Sequence, residues 1–149
     1  MRLRSAPLSN LLGVDIAGVD CRVPADEDLK RDILIALYTH QVLVFRGQEL
    51  TADELIAFSE SFGELEMHVN QQDAGYARPN FHTVTNLDAN GNILPPTEPE
   101  KVYNGTSSWH TDKSYMPFPS MATFLHGIEV TREGGETLFA SLTHAYEAL

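Results

Sequence analysis

The chain has 149 residues, of which 42% are hydrophobic and 21% are charged, a composition typical of one soluble globular domain. Its formal net charge of −11 argues against nucleic acid as a partner, because binding to phosphates requires a basic face. The same charge argues against an anionic membrane surface. A small anionic substrate stays compatible with it, since a local cation can outweigh the overall field.

Cysteine content and the N-terminal segment bear on the compartment. Cys21 is the one cysteine, so an intrachain disulfide is impossible and a cytoplasmic location is expected. The basic start of the chain is not followed by a continuous apolar segment. The sequence therefore predicts neither a signal peptide nor a membrane span.

The first 65 residues predict alternating strands and helices. Residues 11–19 indicate a short strand pair or a strand and a turn, and residues 42–45 form an apolar run typical of a strand buried on both faces. Between them, residues 26–40 predict a helix, because apolar residues recur there on one stripe at helical spacing. The stripe consists of Leu29, Ile33, Ala36 and Leu37.

A capping-box pattern marks the start of a second helix. Thr51 can cap the third helical residue while Glu54 reaches back to the Thr51 backbone. The helix then presents Leu55, Phe58 and Phe62 and is predicted to stop at Gly63.

Residues 66–108 differ in texture from the segments on either side. Gly, Pro, Asn and Asp accumulate there, with one candidate strand at 82–86 and one candidate turn at 88–92. A long irregular segment inside a compact domain is usually functional or mobile. We expect residues 66–108 to form a lid or substrate loop.

The last third predicts further strands and a helix. Residues 121–130 are apolar enough for a core strand, residues 133–136 indicate a turn, residues 137–140 a short strand, and residues 142–149 the beginning of a helix. No capping glycine closes that helix. We therefore interpret the chain as truncated.

The segment Trp109-His110-Thr111-Asp112 is the most informative one for function. It offers an imidazole and a carboxylate two residues apart, and on an extended strand such residues point to the same side. These are two of the three ligands of a 2-His-1-carboxylate triad, which is typical of non-haem Fe(II) oxygenases. The sequence offers no convincing third ligand. His126 is interpreted as a hydrogen-bonded core or groove histidine, and Cys21 as a small apolar filler.

Five segments together carry a resemblance to a known family. In chain order and with matching spacing, the sequence resembles the N-terminal half of the taurine dioxygenase and dichlorophenoxyacetate dioxygenase family, whose members depend on Fe(II) and 2-oxoglutarate. The matching segments run from Val42 to Gln48, Phe62 to Glu66, Trp109 to Asp112, Gly134 to Phe139 and Ala145 to Leu149.

This resemblance implies a fold and a set of site residues. The implied fold is of the α+β class, a double-stranded β-helix (a cupin-like jelly roll) with flanking helices, of which this chain supplies the N-terminal portion. The resemblance also implies that His110 and Asp112 are iron ligands, that Thr137 binds 2-oxoglutarate, and that His68 contacts the substrate. The family's distal histidine and its 2-oxoglutarate-binding arginine are expected beyond residue 149.

The predicted function is the hydroxylation of a small anionic organic substrate by dioxygen, with decarboxylation of 2-oxoglutarate to succinate. Residues 1–149 by themselves are expected to be inactive, and relatives often form homo-oligomers. Two alternatives stay open. One is a non-catalytic fragment or binding module; the other is a metal-dependent hydrolase or cupin-type isomerase that uses zinc and no 2-oxoglutarate.

Overall fold

The computed structural model describes residues 3–67, 83–85, 87, 90–93 and 108–149. The chain divides into two compact units, one made of Met1–Leu65 with Leu125–Leu149 and the other of Glu66–Phe124. Regular elements within the described ranges are β1 (Arg4–Pro7), β2 (Val14–Ala17), α1 (Glu27–His40), β3 (Leu43–Phe45), α2 (Ala52–Glu60) and α3 (Leu142–Glu147). None of the helices in these ranges is long and apolar enough to cross a membrane.

The strands of the first unit form one sheet in the order β1-β2-β3. β2 is antiparallel to β1 and parallel to β3. The parallel pair follows from α1, which crosses between the two strands. Of the two alternatives predicted for residues 11–19, a strand pair or a strand and a turn, the structure shows one strand there, β2, and its antiparallel partner β1 lies upstream. β3 is half-buried rather than fully buried.

Helix α1 begins and ends on local signals that the sequence carries. The Asp26 carboxylate accepts a hydrogen bond from the backbone N–H of Leu29 at 2.8 Å, which satisfies one of the free amides at the helix start. Gln41 ends the helix in the left-handed conformation, with φ of 65°. The predicted apolar stripe faces the core, and Ile33 at its centre is buried.

Helix α2 confirms the predicted capping box. The Thr51 hydroxyl accepts from the N–H of Glu54 at 3.2 Å, and the Glu54 carboxylate accepts from the N–H of Thr51 at 2.7 Å. The helix ends at Glu60, three residues before Gly63. Phe58 and Phe62 are buried and pack edge to face with ring centroids 5.4 Å apart.

The core of this unit lies between the sheet and the two long helices. Its buried members are Val14, Ile16, Val19, Cys21, Ile33, Phe58 and Phe62. Burial raises the pKa of the Cys21 thiol to about 11, with a smaller contribution from the Asp20 charge. The interpretation of Cys21 as an apolar filler therefore agrees with its surroundings.

Gln48 fastens the loop after β3 to this core. Its side-chain Oε1 accepts from the backbone N–H of Cys21 at 3.0 Å, and its Nε2 donates to the carbonyls of Val19 and Arg46 at 3.2 and 3.1 Å. The Nε2 of His126 lies 3.0 Å from the Gln48 carbonyl and must donate to it, because a carbonyl can only accept. The prediction that His126 is a hydrogen-bonded histidine is confirmed.

The prediction of strands in the last third of the chain was wrong. Residues 121–130 and 137–140 contain no strand, and most of their apolar side chains are exposed. A strand requires a neighbour for its backbone hydrogen bonds, and no strand among the described residues pairs with these segments. Residues 83–85 also lack strand structure, while residues 82 and 86 lie outside the described ranges.

The local turn and helix signals of the last third are confirmed. Gly134 and Gly135 adopt positive φ values of 75° and 76° in the predicted turn. Ser141 caps α3, its hydroxyl accepting from the N–H of His144 at 3.2 Å.

The turn predicted at residues 88–92 is flanked by an isolated antiparallel bridge between Leu87 and Ile93.

Candidate metal centre

His110 and Asp112 lie next to each other in space. The Nε2 of His110 is 3.3 Å from the Oδ1 of Asp112. No strand holds them, although a strand was the expected reason for their proximity. A turn begins at Asp112 instead, with the N–H of Met116 donating to the Lys113 carbonyl at 2.9 Å. Local chain geometry therefore produces the juxtaposition that the spacing predicted.

The separation of these two atoms suits the coordination of one ion. Ligands at right angles around an ion, with bonds of about 2.1 Å, are about 3.0 Å apart. The observed 3.3 Å is close to that value. Both side chains are about half exposed, 50% for His110 and 51% for Asp112, so an ion can reach them from solvent.

The other ring nitrogen of His110 is already engaged. Its Nδ1 lies 2.9 Å from the carbonyl of Ser108, and it must carry the hydrogen because a carbonyl only accepts. The lone pair of a neutral His110 is then on Nε2, the atom that faces Asp112. This arrangement matches metal-binding histidines in general, which donate their second N–H to a carbonyl or carboxylate.

The second oxygen of Asp112 is engaged as well. The hydroxyl of Thr123 donates to Oδ2 at 2.7 Å. Nε2 of His110 and Oδ1 of Asp112 therefore face each other, and a cation bound by both atoms would be attracted by the charge of the carboxylate. An imidazole nitrogen and a carboxylate oxygen are suitable donors for Fe(II), so the residues present fit that metal.

An ion pair anchors the turn that follows Asp112. Lys113 adopts a positive φ of 53° and its ammonium group contacts the Glu66 carboxylate. The hydrogen bond from Lys113 lowers the pKa of Glu66. Lys113 also lies 3.4 Å from the Met67 carbonyl. The start of the 66–108 segment is thus tied to the residue after the candidate ligand.

The described structure does not test the roles predicted for the remaining site residues. Thr137 is exposed and belongs to the other compact unit. His68 lies outside the described residues. Within the described ranges no group of three His, Cys, Asp or Glu side chains could hold a metal ion. The roles predicted for Thr137 and His68 stay predictions.

Three contacts at or beside the pair were not predictable from the sequence. Thr123 is eleven residues from Asp112, and no periodic pattern links the two. The Ser108 carbonyl is a backbone group that every residue type carries, so no residue identity marks its role. Lys113 and Glu66 are opposite charges 47 positions apart, and only the folded chain shows that they meet.

A separate cleft in the first unit contains no comparable chemistry. It has a volume of about 320 Å³ and is lined by Val19, Asp20, Arg22, Gly47, Gln48 and Glu49. Arg22 donates to Asp20 at 2.9 and 2.7 Å, and this hydrogen bonding lowers the pKa of Asp20 to about 2. The Asp20 carboxylate is therefore ionised, and its charge is already paired with the Arg22 guanidinium.

Comparison with known proteins decides the family. The family described as Taurine catabolism dioxygenase TauD, TfdA family matches residues 4–149. The chain belongs to this family. Several of its relatives are named as alpha-ketoglutarate-dependent dioxygenases. The recognition made from five short segments is confirmed.

Individual relatives of this TauD/TfdA family chain match all or most of its length. An alpha-ketoglutarate-dependent 2,4-dichlorophenoxyacetate dioxygenase of Cupriavidus pinatubonensis is 30% identical over 100% of the chain and 53% of that enzyme. A pentalenolactone F synthase of Streptomyces avermitilis is 33% identical over 93% of the chain and 44% of that enzyme. The chain thus spans about half the length of the curated relatives it matches.

A solved structure supports the same relationship. The structure of AAD-2 in complex with Mn(II) and N-oxalylglycine has a TM-score of 0.68 and 27% identity, covering 80% of this chain and 43% of that one. The structural relatives have a jelly-roll fold. The described part of this TauD/TfdA family chain shows one three-stranded sheet with helices.

Proposed function

We propose that this chain supplies two of the three iron ligands of an Fe(II)- and 2-oxoglutarate-dependent dioxygenase that hydroxylates a small anionic organic molecule. The observation that carries the proposal is the 3.3 Å separation of His110 Nε2 and Asp112 Oδ1 in a chain of this family. In the proposal, residues 1–149 form the N-terminal portion of a single jelly-roll domain.

The proposed site divides its tasks among few residues. His110 and Asp112 hold Fe(II) through a neutral nitrogen and a charged oxygen, and leave positions open for other ligands. When bound, iron with 2-oxoglutarate supplies the oxidising chemistry. The Thr137 hydroxyl donates to a carboxylate of 2-oxoglutarate, and His68 contacts the substrate. Residues 66–108 position the substrate and exclude water.

The substrate class is proposed from the relatives' names. The names include 2,4-dichlorophenoxyacetate, (S)-phenoxypropionate and sulfonate, each of which carries an acidic group. The net charge of this chain is −11, so its overall field does not attract an anion. A local cation at the site has to hold the acidic group.

The test measures the conversion of 2-oxoglutarate to succinate by the whole gene product that contains this chain. His110→Ala and Asp112→Ala should each lower succinate formation below detection, because each removes an iron ligand. His144→Ala serves as the matched control, since His144 is an exposed histidine on α3, and should keep full turnover. Turnover retained in His110→Ala would contradict the proposal.

The experiment also has to test the non-catalytic alternative, because the described residues hold no complete set of three ligands. Equilibrium dialysis with Fe(II) separates the cases. Absence of iron binding by the whole gene product would favour a binding module. Iron or zinc binding without succinate formation would favour a metal-dependent enzyme that uses no 2-oxoglutarate.

A further inference from the structure

Each candidate ligand makes a hydrogen bond through the atom that does not face the other ligand. The Ser108 carbonyl accepts from Nδ1 of His110 at 2.9 Å, and the Thr123 hydroxyl donates to Oδ2 of Asp112 at 2.7 Å. The first contact orients the ring. The second contact comes from a side chain, so substitution can remove it.

The Thr123 contact restricts a carboxylate that would otherwise rotate. Asp112 is half exposed, and nothing in its own rotamer preference distinguishes Oδ1 from Oδ2, because the terminal torsion of aspartate is broad. The Thr123 hydroxyl occupies one oxygen, and the other then faces Nε2 of His110. A hydrogen bond to a charged acceptor is also short and strong, as the 2.7 Å distance shows.

We infer that Thr123 is a positioning residue of the metal centre, which fixes the Asp112 carboxylate so that Oδ1 is the oxygen presented to the ion beside His110. The inference rests on the proposed function, because it assigns a partner to one of the proposed ligands. Thr123 does not touch the ion; it acts through Asp112.

Partners of this kind affect metal affinity more than folding. Loss of an outer partner typically weakens metal binding about 10- to 100-fold. Thr123 is exposed, and water can replace part of its contribution. We therefore expect the lower end, an increase of about 10-fold in the Kd for the metal.

The experiment titrates the whole gene product that contains this chain with Mn(II) and follows the paramagnetic broadening of the His110 ring signals by NMR. This readout detects weak binding and requires no turnover. Thr123→Val removes the hydroxyl with little change of shape, while Thr123→Ser keeps the hydroxyl. Thr39→Val is the matched control, because the Thr39 hydroxyl donates to the Ile35 carbonyl at 2.7 Å within α1 and lies on neither ligand.

The expected result is a Kd about 10-fold higher for Thr123→Val, with Thr123→Ser and Thr39→Val close to the original chain. Equal weakening by Thr123→Val and Thr123→Ser would overturn the inference, because the hydroxyl would then not be the cause. An unchanged Kd in Thr123→Val, with broadening lost in His110→Ala, would overturn the inference and leave the metal site intact. No broadening at His110 in the unsubstituted gene product would overturn both the inference and the proposed function.

Discussion

Two regions with similar apolar content differ sharply in burial. Between residues 14 and 62, apolar side chains form a closed core, in which Val14 is 1% exposed and Phe58 is 2% exposed. Between residues 108 and 149, comparable side chains lie open, and Val130 is 81% exposed. In this chain, apolar segments are buried where their backbone hydrogen bonds are satisfied, either within a helix or by a neighbouring strand.

Backbone pairing explains which region is packed. β2 has a strand on each side, so its amides and carbonyls are satisfied and its apolar residues can be buried. Helix α1 satisfies its backbone internally and needs only an apolar surface to pack on. Among the described residues, 121–130 neither form a helix nor pair with a strand, and most of their apolar side chains are exposed.

The sharpest test of this contrast compares two phenylalanines. Phe58→Ala should lower the free energy of unfolding by about 3–5 kcal/mol, because it opens a cavity in the core. Phe118→Ala should change it by no more than about 0.5 kcal/mol, because Phe118 is 88% exposed. Urea denaturation measures both values. Similar losses for the two variants would contradict the contrast.

The polar support of the core is the next test. Gln48→Ala removes one acceptor and two donor contacts of the amide and should lower the free energy of unfolding by about 1–3 kcal/mol, since part-buried backbone groups lose their partners. Glu49→Ala is the control at the exposed neighbouring position. If both variants unfold at the same urea concentration as the original chain, Gln48 is not a support of the core.

Cys21 makes a contribution to stability that depends on pH. Burial raises its pKa from 9.0 to about 11, so the folded chain retains the thiol proton where the unfolded chain loses it. The contribution to stability is present below pH 9 and decreases as the pH rises toward 11. Cys21→Ser removes this thiol titration and serves as the control, although the substitution itself places a hydroxyl in the core.

Thiol chemistry checks the same prediction directly. Alkylation of Cys21 by iodoacetamide at pH 8 should be slow in the folded chain and fast in urea, because the thiolate is the reactive form. Equal alkylation rates in the two conditions would show that the thiol is not buried and that its pKa is not raised.

Short-range signals made much of the N-terminal region predictable. The capping box at Thr51 and the apolar stripe around Ile33 each involve residues within a few positions, and both are confirmed. β1 escaped prediction, because it is short and fully exposed and so lacks the alternation that marks a half-buried strand. The strand predicted at 121–130 was wrong, since an apolar run carries no information about whether a partner strand is present.

The candidate site shows the same division. The His-x-Asp spacing predicted that His110 and Asp112 would lie together, and the structure places them together, though in a turn. Thr123 was not predictable from spacing, since its contact with Asp112 depends on the path of the intervening chain.

The family, the helix starts and the proximity of His110 to Asp112 could be predicted from the sequence, because each depends on residue identity over a short span or on the order of short segments. Only the tertiary structure decided which apolar segments are buried, which strands pair, and which groups hold the unused atoms of His110 and Asp112. Those outcomes depend on contacts between distant positions, and a linear pattern does not specify the path that brings such positions together.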